Sequence, residues 1–145
     1  MKRNSFLFLT AIMILFSTGC KKERVLECTK NEEQSGIQMN ETVKITFKGN
    51  NVENVNSSVD AVLGDTYKNY KNLFITTIES QFKNYKDLKG VDIKVSDTDD
   101  TVTATLNADL NKMDDDAKNK FNIVDTKANY EKTKESLEKQ NYSCK

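Results

Sequence analysis

The chain has 145 residues, enough for one domain and too short for two. Lys plus Arg and Asp plus Glu each number 22, and removing residues 1–19 with their two cations leaves −2, so neither form supplies the positive face that nucleic acid requires. Histidine is absent, which excludes Ser-His-Asp and Cys-His catalysis and imidazole-ligated zinc or haem.

The first 20 residues read MKRNSFLFLTAIMILFSTGC. Lys2 and Arg3 precede an apolar run, Phe6–Phe16, and then come the small residues Ser17, Thr18 and Gly19 before Cys20. This is the layout of a secretory signal. The run is shorter than the roughly 20 apolar residues a spanning helix needs. Thr18-Gly19-Cys20 resembles the bacterial lipobox, at which the cysteine thiol is diacylated and the chain is cut before it. The expected organisation is a signal peptide over 1–19, a lipidated tether over 20–24 and one domain over 25–145. Two acyl chains on one residue give stable anchoring. Lys21, Lys22 and Arg24 would lie beside the headgroups, each adding about 1 kcal/mol on an anionic leaflet. The expected partner is membrane lipid through acylated Cys20, at the cell membrane and facing away from the cytoplasm.

Residues 24–30 are extended in character, and Asn31–Gly36 is a polar break. Within 37–48, Val43, Ile45 and Phe47 alternate with Thr42, Lys44, Thr46 and Lys48, which marks a strand with one buried face. Gly49-Asn50-Asn51 supplies a hairpin turn, and 52–59 returns as a third strand. Residues 65–89 form the clearest element. Tyr67, Tyr70, Phe74, Ile78, Phe82 and Tyr85 recur at helical spacing, with Asp65 as N-cap and Gly90 as the stop. This stripe is expected to pack on the sheet, with Phe74 and Phe82 largely buried. A second hairpin pairs Val91, Ile93 and Val95 with Val102, Ala104 and Leu106. A final helix, capped by Asp125 or Thr126, carries Tyr130 and Leu137 and ends at Asn141. The expected fold is α+β: an antiparallel sheet of about five strands, order βββαββα, with the long helix on one face.

Lipidation of Cys20 leaves Cys28 and Cys144 as one possible pair in a disulfide-permissive compartment. A bridge would close nearly the whole body, and two separate buried thiols are the alternative. Two acidic clusters, Asp97 with Asp99 and Asp100, and Asp114-Asp115-Asp116, lack the central Gly and the late Glu of a calcium loop. Turn chemistry and helix N-terminal charge explain them. No metal, cofactor or enzymatic activity is expected. The leading expectation is a surface-anchored binding or interaction module, and the competing one is a structural or stress-related envelope lipoprotein without a specific ligand. An apolar-lined pocket or open sheet face favours the first, an all-polar exposed face the second.

Taken in order, Cys20, Glu27-Cys28-Thr29, TVKITFKGNNV at 42–52, FKNYKDLKGVDIKVSDTDDTVTATLNADL at 82–110 and ESLEKQNYSCK at 135–145 make the chain similar to the YehR-like lipoproteins of the bacterial envelope. Asn141 stands where that family tends to have Gly. The resemblance implies a lipid-anchored, non-enzymatic domain and assigns it no ligand.

Overall fold

The computed structural model describes residues 22–145. Within them, six strands form one antiparallel sheet: β1 (Glu23–Gln34), β2 (Ile37–Lys48), β3 (Asn51–Leu63), β4 (Val91–Asp97), β5 (Thr101–Asp109) and the short β6 (Ser143–Cys144). Their spatial order is β4-β5-β3-β2-β1-β6. Three α-helices accompany them, α1 (Lys71–Phe82), α2 (Asp115–Lys120) and α3 (Tyr130–Glu138). The α+β class and the antiparallel sheet match the sequence reading. The sheet is one strand larger than expected, and the chain order gains α2 before α3 and β6 after it.

Alternation sets the two faces. Leu26 pairs with Ile45 and Cys28 with Val43, Ile45 pairs with Val55, and Val55 with Ala108. These side chains, with Phe47 and Leu106, are all buried on one face. The other face carries Thr29, Thr42, Ser58 and Thr105 in one row and Glu27, Lys44, Asn56 and Asn107 in the next. It is knitted by Lys44–Glu27 at 3.2 Å, Asn54 Nδ2 donating to Asn107 Oδ1 at 3.0 Å, and Thr103 Oγ1 donating to Asp60 Oδ1 at 2.7 Å. A one-residue slip would turn every apolar group to water, so this contrast pins the register.

The apolar face is covered by the chain after β5. Met113, Ala117, Phe121, Ala128 and Tyr142 are buried against it, ringed by half-buried Tyr85, Leu88, Tyr130 and Leu137. Tyr130 meets Phe47 edge-on at 5.4 Å, and Tyr85 meets Phe121 at 5.2 Å. The loop before α3 is tied to the β2–β3 hairpin, where Val52 N donates to the Thr126 carbonyl and Ala128 N to that of Asn50, both at 2.8 Å. One connected core cluster runs from Leu26 to Tyr142, so the body carries its own core.

Several boundaries differ from the sequence reading. β1 continues through Asn31–Gln34, because the turn is made by Ser35 and Gly36 at φ +56° and +80°. Two successive positive φ values match the right-handed twist of a hairpin. β3 runs on to Leu63. The predicted 65–89 helix is confined to Lys71–Phe82, with a 3₁₀ turn at Lys68–Tyr70 before it and irregular turns after it. Asp65 pairs with Lys68 at 2.9 Å instead of capping α1. Gly90 is required where it stands: its φ is +81°, and a Cβ there would meet the Asp109 carbonyl oxygen at 2.8 Å.

The cap of α3 is Asn129, whose Oδ1 accepts from Lys132 N at 3.1 Å, and not Asp125 or Thr126. Asp125 accepts from Lys127 N at 3.0 Å in a local turn. Asp114 caps α2 through Ala117 N at 2.9 Å, with Asp115 and Asp116 in the first turn, which is the helix-charge explanation of that acidic run. Asn141 takes φ +68° after α3. Cys28 and Cys144 are disulfide-bonded and paired in register, Cα to Cα 4.1 Å, across a sequence separation of 116.

Candidate functional site

The aromatic stripe does not behave as core. No residue of α1 is buried. Phe74, Ile75, Ile78 and Phe82 are half-buried, and Leu73 is 64 % exposed. Phe74 and Phe82 were expected inside, and the reason for the difference lies in where α1 rests. It leans on β4 and β5, at one side of the sheet, and Lys71 Nζ ties its start to Asp97 Oδ2 at 2.7 Å. α3 leans on β1 and β6 at the other side. The strip between them is incompletely covered: Met39 on β2, Val59 on β3 and Ala104 on β5 are all half-buried, although they share the core face. In the row through Met39 its partners Ala61 and Val102 are buried, as is Leu63 in the next row. The result is an apolar surface, partly covered, on the sheet and on α1.

A polar pair lies on the same face of the sheet. Glu41 on β2 lies opposite Lys30 and Val59, has the same side parity as Met39 and Val43, and is only 8 % exposed. The Tyr142 hydroxyl donates to Glu41 Oε2 at 2.7 Å. Tyr142 is held there by Cys144 two residues on, and Lys30 Nζ stands 5.6 Å from its ring. Burial pushes the Glu41 carboxyl above its usual range, while the Tyr142 hydroxyl and Lys30 pull it back in part. Burial first and the adjacent carboxylate second push the Tyr142 phenol well above its ordinary value.

This pair sets a pH dependence. A carboxyl whose folded pKa is raised contributes stability that is complete below its unfolded value of 4.5 and lost as pH rises through the folded value. Glu41→Gln keeps an acceptor for Tyr142 and removes the buried charge. The variant is therefore expected to gain on the wild type as pH rises from 4 to neutrality, measured by urea midpoints across that range. A stability gap that stays flat with pH would show that Glu41 is not the titrating group.

The residues singled out in the sequence fall as follows. The 1–19 segment, Cys20 and Lys21 lie outside the described residues. Lys22 is exposed. Arg24, expected in the tether, belongs to β1; its guanidinium lies 3.9 Å over the Tyr130 ring and 3.5 Å from Glu131. Asp97 is engaged by Lys71, and Asp100 accepts from the Thr101 hydroxyl at 3.0 Å. Among the described residues no three acidic, cysteine or histidine side chains are grouped to hold a metal ion, and no helix is long and apolar enough to cross a membrane. Sequence reasoning missed Glu41. Its signal was parity: it occupies the inward position of an otherwise apolar series, Met39, Val43, Ile45 and Phe47.

No protein-family model matches the chain, and no curated protein matches it. Two solved structures are similar. The NMR structure of a protein from Streptococcus pneumoniae TIGR4 aligns with TM-score 0.55 at 12 % identity, over 100 % of this chain and 98 % of that one. The NMR structure of the Escherichia coli YehR protein aligns with TM-score 0.60 at 16 % identity, over 86 % of this chain and 91 % of that one. At such identities the likeness concerns the backbone alone, and on that ground the chain has a YehR-like fold.

Proposed function

We propose that this chain is a non-enzymatic binding module of the bacterial cell envelope, held on the membrane by acyl chains on Cys20, with the partly covered apolar surface of α1 and the sheet as its ligand surface. One observation carries the reading: Phe74, Ile75, Ile78 and Phe82 on α1 and Met39, Val59 and Ala104 on the sheet are only partly buried, and Tyr70 and Leu73 beside them are exposed. Contiguous apolar surface left in water is costly and marks an interaction site more often than an accident of packing. The anchor rests on the lipobox-like Thr18-Gly19-Cys20 and its basic flank. β1 starts at Glu23, three residues after Cys20, which would keep the body close to the membrane. The alternative, a structural envelope lipoprotein without a ligand, draws support from the opposite sheet face, where hydroxyl, amide and charged side chains predominate and Val25 is the exposed large apolar group.

The apolar surface is tested with n-octanol as an apolar probe, followed by NMR of the body over residues 22–145. Shifts are expected at Val59, Ala104 and Ile78, and Ile78→Asp should abolish them while leaving the sheet resonances in place. Shifts scattered over the surface, or none, would overturn the reading. The anchor is tested separately with Cys20→Ala, which is expected to lose acyl labelling and to remain uncleaved at this site. Equal mature mass and equal detergent partitioning for variant and wild type would refute lipidation.

A further inference from the structure

Resting on the Cys20 anchor proposed above, we infer that the body has a membrane-contacting pole, at which Val124 enters the interfacial layer of the leaflet that holds the acyl chains. Glu23 pairs with Lys48, Lys48 with Asn51, and Asn54 with Asp109, so one end of the sheet collects the start of β1 and the β2–β3 turn. The loop before α3 is fixed to that turn. The Thr126 carbonyl accepts from Val52 N and that of Asn50 from Ala128 N, both at 2.8 Å, and Lys127 bridges to Asn51. Val124, two positions before Thr126, is 90 % exposed. The tether ends on the same turn, where the Lys22 carbonyl accepts from Gly49 N at 3.3 Å. Cys20 stands two positions before Lys22, and two extended residues reach about 7 Å at most. The bilayer surface is thus the partner that the chain itself brings to Val124.

A single exposed valine is ordinary on a surface that faces bulk water. Here its place decides. Val25, 50 % exposed, lies on β1 two positions after Glu23, so this end presents two of the four large apolar side chains left exposed among the described residues. The other two, Tyr70 and Leu73, belong to the opposite end, where Lys71 is tied to Asp97 and Leu63 N donates to the Asp100 carbonyl. The 12 residues of β1 put roughly 40 Å between the two ends. One valine buries too little to hold a protein on lipid. The acyl anchor makes its contact intramolecular, however, and a weak contact is then well populated. The charges at this pole nearly balance, with Lys22, Lys48 and Lys127 beside Glu23, Glu53 and Asp125. The contact is therefore apolar and does not require anionic lipid. Standing on this pole, the body turns Tyr70 and Leu73 away from the bilayer, toward partners arriving from beyond it.

The test places the mature chain, acylated in cells and labelled at Val and Leu methyl groups, on nanodiscs of phosphatidylcholine. One sample carries a nitroxide on the lipid acyl chain near the headgroup, and another a soluble gadolinium chelate. The Val124 methyl signals are expected to be lost to the nitroxide and protected from the chelate, and those of Leu73 to behave in the reverse way. Val124→Asp should lower the nitroxide broadening at Val25, because the body then pivots on its tether, whereas Leu73→Asp should leave it unchanged. Val124 methyls as open to the chelate on discs as in the body over residues 22–145 free in solution would overturn the inference and leave the anchor standing. Loss of the Leu73 signals to the nitroxide would lay the body on α1 and overturn it as well. Protection of Val124 from both reagents would make its occupant a second copy and refute the lipid contact. Contact that forms only with anionic lipid would assign it to the lysines and not to Val124. A mature mass without acyl chains would remove both the anchor and the inference that rests on it.

Discussion

Cys28→Ser is expected to lower the stability of the oxidised protein by about 2–5 kcal/mol, the usual loss when a small exported domain is deprived of its bridge. The loop closed by Cys28 and Cys144 spans a sequence separation of 116, and the chain-entropy model assigns a loop of that order about 4.7 kcal/mol. Cys28 is wholly buried, so the variant also leaves a hydroxyl in the core. Cys144 is half-buried; Cys144→Ser should cost somewhat less, and the double variant little more than Cys28→Ser, because one bond is broken in every case. The loosening should start at the chain end. β6 is held to β1 by few hydrogen bonds, such as Lys145 N to the Glu27 carbonyl at 2.9 Å. The start of α3 is better fixed, through Tyr130 on Phe47 and beneath Arg24. Hydrogen exchange after reduction should thus rise first over residues 142–145 and last in β2. Two reactive thiols in the denatured, unreduced protein, or an unmoved urea midpoint for Cys28→Ser, would refute the bridge.

The bridge also couples fold and site. Tyr142, bonded to Glu41, lies two residues before Cys144, whose disulfide helps hold the final turn against β1. Loss of the bond should therefore weaken the Tyr142–Glu41 hydrogen bond before it weakens the core beneath Phe47.

The sheet was legible because its two faces differ so sharply in polarity. Val43, Ile45 and Phe47 alternate with Lys44, Thr46 and Lys48, and no other register hides the first set. The β4–β5 hairpin was legible for the same reason. The helices were less so. Residues 83–89 contain good helix formers, yet Tyr85 and Leu88 turn toward the core cluster, and that packing outweighs continuation of α1. Asp125, Thr126 and Asn129 are all competent caps, and only the tie between the β2–β3 hairpin and the loop before α3 decides for Asn129. β6 is too short to show a period; the pairing of two cysteines was its only trace. The candidate site was half legible. An apolar helical stripe says that a face avoids water but not what covers it, so the same residues read equally as core and as partly covered surface.

Two truncations separate those meanings. Phe47→Ala is expected to cost about 3–5 kcal/mol, the range for a core aromatic. Phe47 is 0 % exposed, lies within 5.4 Å of the Tyr130 ring, and sits at the bulge where β2 shifts register against β3. Its loss would open a cavity that this part of the sheet has no freedom to close. Phe74→Ala should cost far less, about 1 kcal/mol, because a half-buried ring gives up only part of its transfer energy and leaves no enclosed void. Tyr67, whose ring stands 6.4 Å from that of Phe74, can settle into the space. Urea denaturation at unchanged m-value measures both. The same Phe74→Ala protein should bind octanol more weakly, whereas Phe47→Ala, where folded, should not. Equal destabilisation by the two truncations would place α1 in the core after all, and the proposed ligand surface would lose its helix.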